Sequence, residues 1–533
     1  MQSGAFHLNG GSVPSSLASW LVALPYRVLE DRRRQDASPV QMPHHPIASG
    51  SRAAARAKAR TPRSGEVVER VVFGLFVVGL AGVPYWYGSN DPIAWGVNAI
   101  VFPGLAALYE LSLLARSKSH PVPIGKRLLM PVGLFLATLL WIWFQALPWR
   151  HIPFANPIWD LAGQALERPI DGSISVNRDL TNLALLRLIT AGSVLWLAIQ
   201  LCRGAERALA LLGAIVVIVF AYAAYGLVGV GIPSVTLPGL AIPYDGGLAS
   251  STFVNRNTFA TYAGLGLVAA AGLILRLYRH ETVGDAGWRL QLSSLIEVTG
   301  GKAALPLASA FVILVALLLT GSRGGVIATG IGLLALGLQA RRSTEAGGLP
   351  RFVVIGSLVL LAAVCLLVFG GFFISSIEQR GIADANRLAV YLLTIRSILD
   401  APLTGHGYGT FADVFPFYRD RSLAVQGTWA EAHNTYLEVF QGLGMVFGGL
   451  LVASVVVLVL GCLGGPSRRQ EHVTAPRVAV AAAVLVGVHA LVDFSLQIQA
   501  VTLTFMAILG AGVGQSQGRG QSIDEPDGAT VAS

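Results

Sequence analysis

The sequence predicts an all-α polytopic membrane protein of about twelve transmembrane helices, with a large loop on one face before the tenth. Three observations carry that prediction. Only 13% of the 533 residues are charged and 53% are apolar, whereas a soluble domain has about 25% charged residues. The mean hydropathy is +0.62, and the apolar residues fall into runs long enough to cross a hydrocarbon core, which takes about 20 residues. The loops between these runs alternate in basic charge.

The runs lie at 71–88, 93–115, 128–147, 181–202, 208–231 and 259–277, then at 304–320, 326–340, 352–374, 436–462, 478–494 and 498–514. The eighth is short and can begin inside the preceding loop. Alternate loops hold Arg116, Lys118, Lys126 and Arg127; Arg203 and Arg207; Arg276, Arg279, Arg289 and Lys302; Arg341, Arg342 and Arg351; and Arg468, Arg469 and Arg477. Short loops rich in Lys and Arg are cytoplasmic. Twelve spans with both termini in the cytoplasm put all five basic loops on that side.

The net charge of +9 therefore reads as loop charge on a membrane protein rather than as a nucleic-acid footprint. Cys202, Cys365 and Cys462 all sit inside apolar runs, which points away from a disulfide framework or a cysteine metal site. Residues 1–70 read as a basic, largely disordered cytoplasmic arm, with Arg32–Arg34 and the Arg/Ala/Lys run of 51–60 suited to anionic headgroups. Leu17 to Leu24 is too short for a span and lacks the flanks of a cleaved signal, leaving an interfacial helix as its membrane reading. The tail 515–533, rich in Gly, Ser and Asp, reads as disordered. The transmembrane unit occupies 71–514.

On the opposite, periplasmic face two loops are long, near 148–182 and 375–435, and a third near 231–258 is moderate. The longest holds Arg380, Arg387, Arg396, His406, Arg419, Arg421, Glu431 and His433. Positive charge here runs against the positive-inside tendency. An anionic ligand explains it; so does ion pairing with Asp384, Asp400, Asp413 and Asp420 in a small folded loop.

Three segments are sharper. Phe253 to Phe259 sets Arg256 between Asn255 and Asn257 at the entrance to the sixth span. Thr320 to Gly325 sets Arg323 in a glycine-flanked turn between two spans, where backbone can approach a ligand closely. Ala432 to Glu438 sets His433 just above the tenth span. A cation at membrane depth is costly unless it faces a polar cavity. Guanidinium matches phosphate oxygens in a bidentate way, and imidazole suits proton transfer near neutral pH. Plainer readings stand beside these: Arg323 snorkelling to headgroups, His433 bonding a helix end, and His489 with Asp493 as a structural pair one helical turn apart.

His433 has only Glu431 and Glu438 near it in sequence, a poor basis for a metal site, and the chain shows no Walker-type or dinucleotide glycine fingerprint in a strand-and-helix unit. No metal, cofactor or nucleotide energy source is expected.

At these residues the sequence resembles the O-antigen ligase and polysaccharide polymerase superfamily. The resemblance rests on Arg256 between its asparagines, the Ser322-Arg323-Gly324 turn, the His433-Asn434-x-x-Leu437-Glu438 segment and the His489-Ala-Leu-Val-Asp493-Phe494 segment. It covers about residues 70 to 514. The resemblance implies a GT-C-like, metal-independent glycosyltransferase of the bacterial inner membrane. Its donor is a glycan on undecaprenyl pyrophosphate, and its acceptor is lipid A-core or a growing polysaccharide. Carried over by motif, Arg256, Arg323 and His433 are the candidate catalytic residues. Asn255, Asn257, Asn434 and Glu438 beside them, with Arg387 and Arg396 of the large loop, are candidate substrate-binding residues. Two other classes share the helices: a peptidoglycan polymerase, whose motifs are not found, and a lipid-linked oligosaccharide flippase or transporter, which would show internal repeats and midplane charges.

Overall fold

The computed structural model describes residues 64–149, 153–232, 234–240, 247–281, 293, 297, 299–341, 385–423, 428–464 and 473–517. The predicted ninth span, most of the basic arm, Arg380 and the end of the tail lie outside these residues. Contacts divide the chain into two units, 1–74 and 75–533. The boundary falls within helix α1 (Ser64–Gly82).

The described chain is all-helical, apart from an isolated bridge between Trp149 and Gly172. After α1 come α2 (Pro92–Ala115), α3 (Lys126–Ala146), a short α4 (Ile158–Ala165), α5 (Arg178–Leu201), α6 (Ala205–Gly231) and α7 (Arg256–Glu281). Then follow α8 (Ala304–Leu319), α9 (Arg323–Arg341), α10 (Ala385–Asp400), α11 (Phe411–Tyr418), α12 (Thr435–Gly464), α13 (Thr474–His489) and α14 (Gln499–Gln517). Among the described residues, seven helices are long and apolar enough to cross a membrane, and α8 and α13 are shorter apolar helices. The protein is a polytopic membrane protein.

Every predicted span except 352–374 coincides with one of these helices. Their ends differ for local reasons. The eleventh run stops at His489 because Ala490 to Phe494 turns back, with Val492 N–H bonding the His489 carbonyl at 3.0 Å. The short eighth span gains a turn, since α9 starts at Arg323 itself. The predicted tail starts at Gln515, yet α14 runs through it, and its buried side chain donates to the carbonyls of Cys202 and Arg203 at 2.7 and 2.8 Å. The large loop carries α10 and α11, which close a small core of Val390, Leu393, Phe411, Phe415, Leu423 and Ala432.

Helix α14 is buried over nearly its whole length. Small residues let it enter: a methyl group on Gly510 would lie 2.6 Å from the carbonyl oxygen of Leu195, the close backbone approach on which membrane helix packing relies. The described residues of the 116–127 loop, Arg203 and Arg477 lie at helix ends that are tied together. Gln200 exchanges two hydrogen bonds with Val122 of the 116–127 loop, Gln515 reaches Arg203, and Gln339 bonds the Arg477 carbonyl. The opposite end of the bundle carries the candidate motifs.

Candidate active site

Each of the three motifs forms the first turn of a helix. Asn255 Oδ1 accepts the Asn257 N–H at 2.7 Å and the Asn255 carbonyl accepts from Phe259, so α7 begins with Arg256. Ser322 Oγ accepts the Gly325 N–H at 3.2 Å, so α9 begins with Arg323. Asn434 Oδ1 accepts the Leu437 N–H at 3.1 Å and caps α12. Such caps satisfy one of the spare N–H groups, and the remaining donors with the helix dipole favour anions.

Glycines bring these turns together. A methyl group on Gly325 would lie 2.6 Å from Cβ of Ala260, so the first turns of α7 and α9 pack side by side. Arg256 and Arg323 are both half-buried. Arg256, Asn255, Asn257, Tyr87, Asn90 and Phe494 line a cavity of about 320 Å³.

Across Phe494 from this cavity stands His433. Its ring meets the rings of Phe494 and Trp429 edge-on, at centroid distances of 5.1 and 5.7 Å. Its backbone is left-handed, with φ +55°, a conformation uncommon outside glycine and concentrated at functional sites. The Tyr391 hydroxyl of α10 holds the His433 carbonyl at 2.9 Å. The following residues are tied to the turn after α13: Asn434 Nδ2 donates to the Leu491 carbonyl at 3.0 Å, Thr435 N–H to Ala490 at 2.9 Å, and Thr435 Oγ1 to the Asp493 carbonyl at 3.0 Å. Arg387 donates to the Val492 carbonyl at 3.2 Å, which places it over the same turn.

His489 and Asp493 are joined through other elements, not along one helix. His489 Nδ1 lies 2.6 Å from Thr261 Oγ1, the Thr261 hydroxyl donates to Ser495 Oγ at 2.8 Å, and Ser495 donates to the Asp493 carboxylate. The other ring nitrogen, Nε2, faces Gly324 of the Arg323 turn.

Two predicted substrate-binding residues point elsewhere. Arg396 is exposed on the far half of α10, in the electrostatic range of Asp420 and Tyr418. Glu438 is buried, accepting from the Ala432 N–H at 2.6 Å and from the Gln497 side chain.

Glu438 belongs to a network that motif reading missed. Arg187 of α5 donates to the Gln497 carbonyl and lies 4.4 Å over the Trp95 ring. Tyr408, Glu431 and Glu438 are its electrostatic neighbours. Glu431 and Glu438 lie within hydrogen-bonding range of each other, so the two carboxyls titrate as a pair. Burial pushes the Glu431 carboxyl above its ordinary value, while the hydrogen bond to Glu438 and the Arg187 charge act against that. A signal existed: Arg187 is the sole charged residue of the predicted span 181–202, and an ionisable residue inside a span is a functional candidate by default.

Residues 308–452 match the family model described as O-antigen ligase. The matched stretch includes the Arg323 turn, α10, α11 and the His433 segment, and ends within α12. A search of curated proteins returned no match to the chain.

Proposed function

From the premise that residues 308–452 form an O-antigen ligase domain in a polytopic membrane protein, we propose a specific reaction. The chain transfers a glycan from undecaprenyl pyrophosphate to an acceptor at the periplasmic face of a bacterial inner membrane. The acceptor is lipid A-core if the protein is a ligase, or a growing lipid-linked polysaccharide if it is a polymerase. The observation that carries the reading is the side-by-side packing of two arginine-bearing helix starts, of which the Arg256 start lines a cavity, with His433 across Phe494.

Arg256 and Arg323 hold the pyrophosphate, aided by the spare N–H groups of the first turns of α7 and α9. His433 removes the proton of the acceptor hydroxyl as its oxygen attacks the anomeric carbon. A glycosidic bond forms, the bond from that carbon to the phosphate oxygen breaks, and undecaprenyl pyrophosphate departs. Charge on the leaving group grows during this step, so fixed guanidinium groups stabilise the transition state more than the ground state. Asn255, Asn257 and Arg387 shape the donor side. Asn434 sets the His433 backbone. The donor is already activated, so no nucleotide is required, and the mechanism as drawn uses no metal.

The test is transfer by the purified protein in detergent, where no second compartment exists. Lipid-linked glycan and acceptor are supplied without metal or nucleotide, and the product is read by mass spectrometry. A new acceptor–glycan linkage supports the reading. Movement of donor across liposomes without any transfer would replace it with a flippase, and polymerisation of a peptidoglycan precursor alone would replace it with that enzyme class.

A further inference from the structure

We infer that α10 of the large loop is an interfacial helix whose exposed face lies on the outer surface of the bilayer, deepest at its C-terminal end. At about 100° per residue, Val390, Leu393, Thr394, Ser397 and Ile398 fall on one face and are buried. The opposite face holds Leu388, Leu392, Ile395 and Leu399, between 41% and 67% exposed. A loop helix facing water would be polar there. An apolar stripe opposite a packed face is the pattern of a helix lying at a membrane surface.

The level of the membrane edge follows from the chain itself. Helix α12 is interrupted at Gly444, with φ +76° and ψ +169°. From Met445 to Gly464 it has about 20 residues, or about 30 Å at 1.5 Å per residue, the thickness of the hydrocarbon core. Gln145, in the last turn of α3, donates to the carbonyls of Gly442 and Thr404 at 2.8 and 2.7 Å. Two helices thus end at one level, and the exposed Trp143 stands near it, as aromatic residues do at the interface.

The C-terminal end of α10 meets that level. Met445 N–H donates to the Pro402 carbonyl at 2.7 Å. The exposed Leu399 and Leu403 therefore continue the exposed surface of Met445 and Val446 on α12. The N-terminal half is held higher, with Tyr391 on His433, twelve residues back along the chain from Met445, and Arg387 on Val492 of the turn that is tied to Thr435. The helix slants into the interface.

The test places a nitroxide on cysteines introduced singly at Leu388, Leu392, Leu399 and Leu403, and at the exposed Ala412 of α11. The background is the full chain with Cys202, Cys365 and Cys462 replaced by serine, in phospholipid nanodiscs. Collision with oxygen should exceed collision with a water-soluble nickel chelate at Leu399 and Leu403. The ratio should fall stepwise towards Leu388 and reverse at Ala412. Nickel access exceeding oxygen access at Leu399 and Leu403 overturns the proposal. So does dipolar broadening along the stripe that disappears on dilution with empty lipid, because a second copy of the chain would then cover it.

Discussion

Gly324 lies directly against the imidazole of His489: a Cβ at that position would stand 3.0 Å from Nε2 and 3.1 Å from Cδ2. This contact joins the first turn of α9 to the end of α13, and so fixes Arg323 relative to the segment that carries His433. Gly324→Ala must move either the Arg323 turn or the imidazole, because the methyl group also meets Val492 at 3.3 Å. Overpacking of this kind costs about 1–3 kcal/mol. Donor affinity should fall by about tenfold with the protein still folded. Calorimetric binding of lipid-linked donor checks this, and unchanged affinity would show that the contact does not set the Arg323 turn.

Arg187 should matter chiefly for assembly of the site. Arg187→Met keeps much of the side chain's length but leaves Glu431 and Glu438 without their nearby cation and the Gln497 carbonyl without its donor. Breaking a buried charged arrangement from one side costs about 3–5 kcal/mol. A clear drop in the melting temperature of purified protein is expected, and transfer should fall with it. A variant that melts like the parent but has lost all transfer would give Arg187 a direct role in substrate binding instead.

Glu431 gives the site a stability that depends on pH. Its folded value lies above the ordinary 4.5 because of burial, with the neighbouring Asp493 charge acting in the same direction. A raised carboxyl contributes stability that is complete below the unfolded value and is lost as pH rises through the folded value. The parent's melting temperature should therefore decline from this group as pH rises above the ordinary carboxylate range. Glu431→Gln should flatten that decline. Parallel pH profiles for the two proteins would remove Glu431 as its source.

The bundle was legible in the sequence because membrane spans are written in local hydropathy, and the three helix starts because Asn255, Ser322 and Asn434 cap within three residues of themselves. What was not legible depends on partners far away in the chain. Arg187 meets Gln497 across 310 residues, and no local pattern pairs them. Glu438 reads as a motif carboxylate near substrate, but the side of α12 it occupies is set by Ala432 and Gln497, and it faces inward. Arg396 shares a helix with Arg387, yet nine residues carry it to the other end and beside Asp420. The leucine stripe of α10 had a readable helical spacing, hidden because the segment sits between spans and reads as loop.

Topology gives a prediction independent of chemistry. A reporter active only in the periplasm should be active when fused at Pro157, which precedes α4, or at Val390 within α10. Fusions at Gly284 and Gly347, in the basic loops outside the described residues, should be silent. Activity at Gly284 would reverse the assignment of faces that puts the Arg256 and Arg323 turns in the periplasm.

Arg323 and His433 should fail in different ways. If Arg323 grips pyrophosphate, lysine retains the charge but loses the planar fork, so Arg323→Lys should retain part of the activity. Arg323→Ala loses charge-assisted hydrogen bonds worth about 1.5–3 kcal/mol, and donor affinity should weaken by about ten- to a hundredfold. His433 stands across Phe494 from the cavity, its backbone held by Tyr391, and its proposed task concerns the acceptor's proton. His433→Ala should therefore leave donor binding nearly intact while turnover falls by about a hundredfold or more. Donor binding to the purified variants, measured beside single-turnover transfer, separates the two. An equal loss of donor affinity in both variants would move His433 from proton transfer to the phosphate site, and full turnover in His433→Ala would remove it from the mechanism.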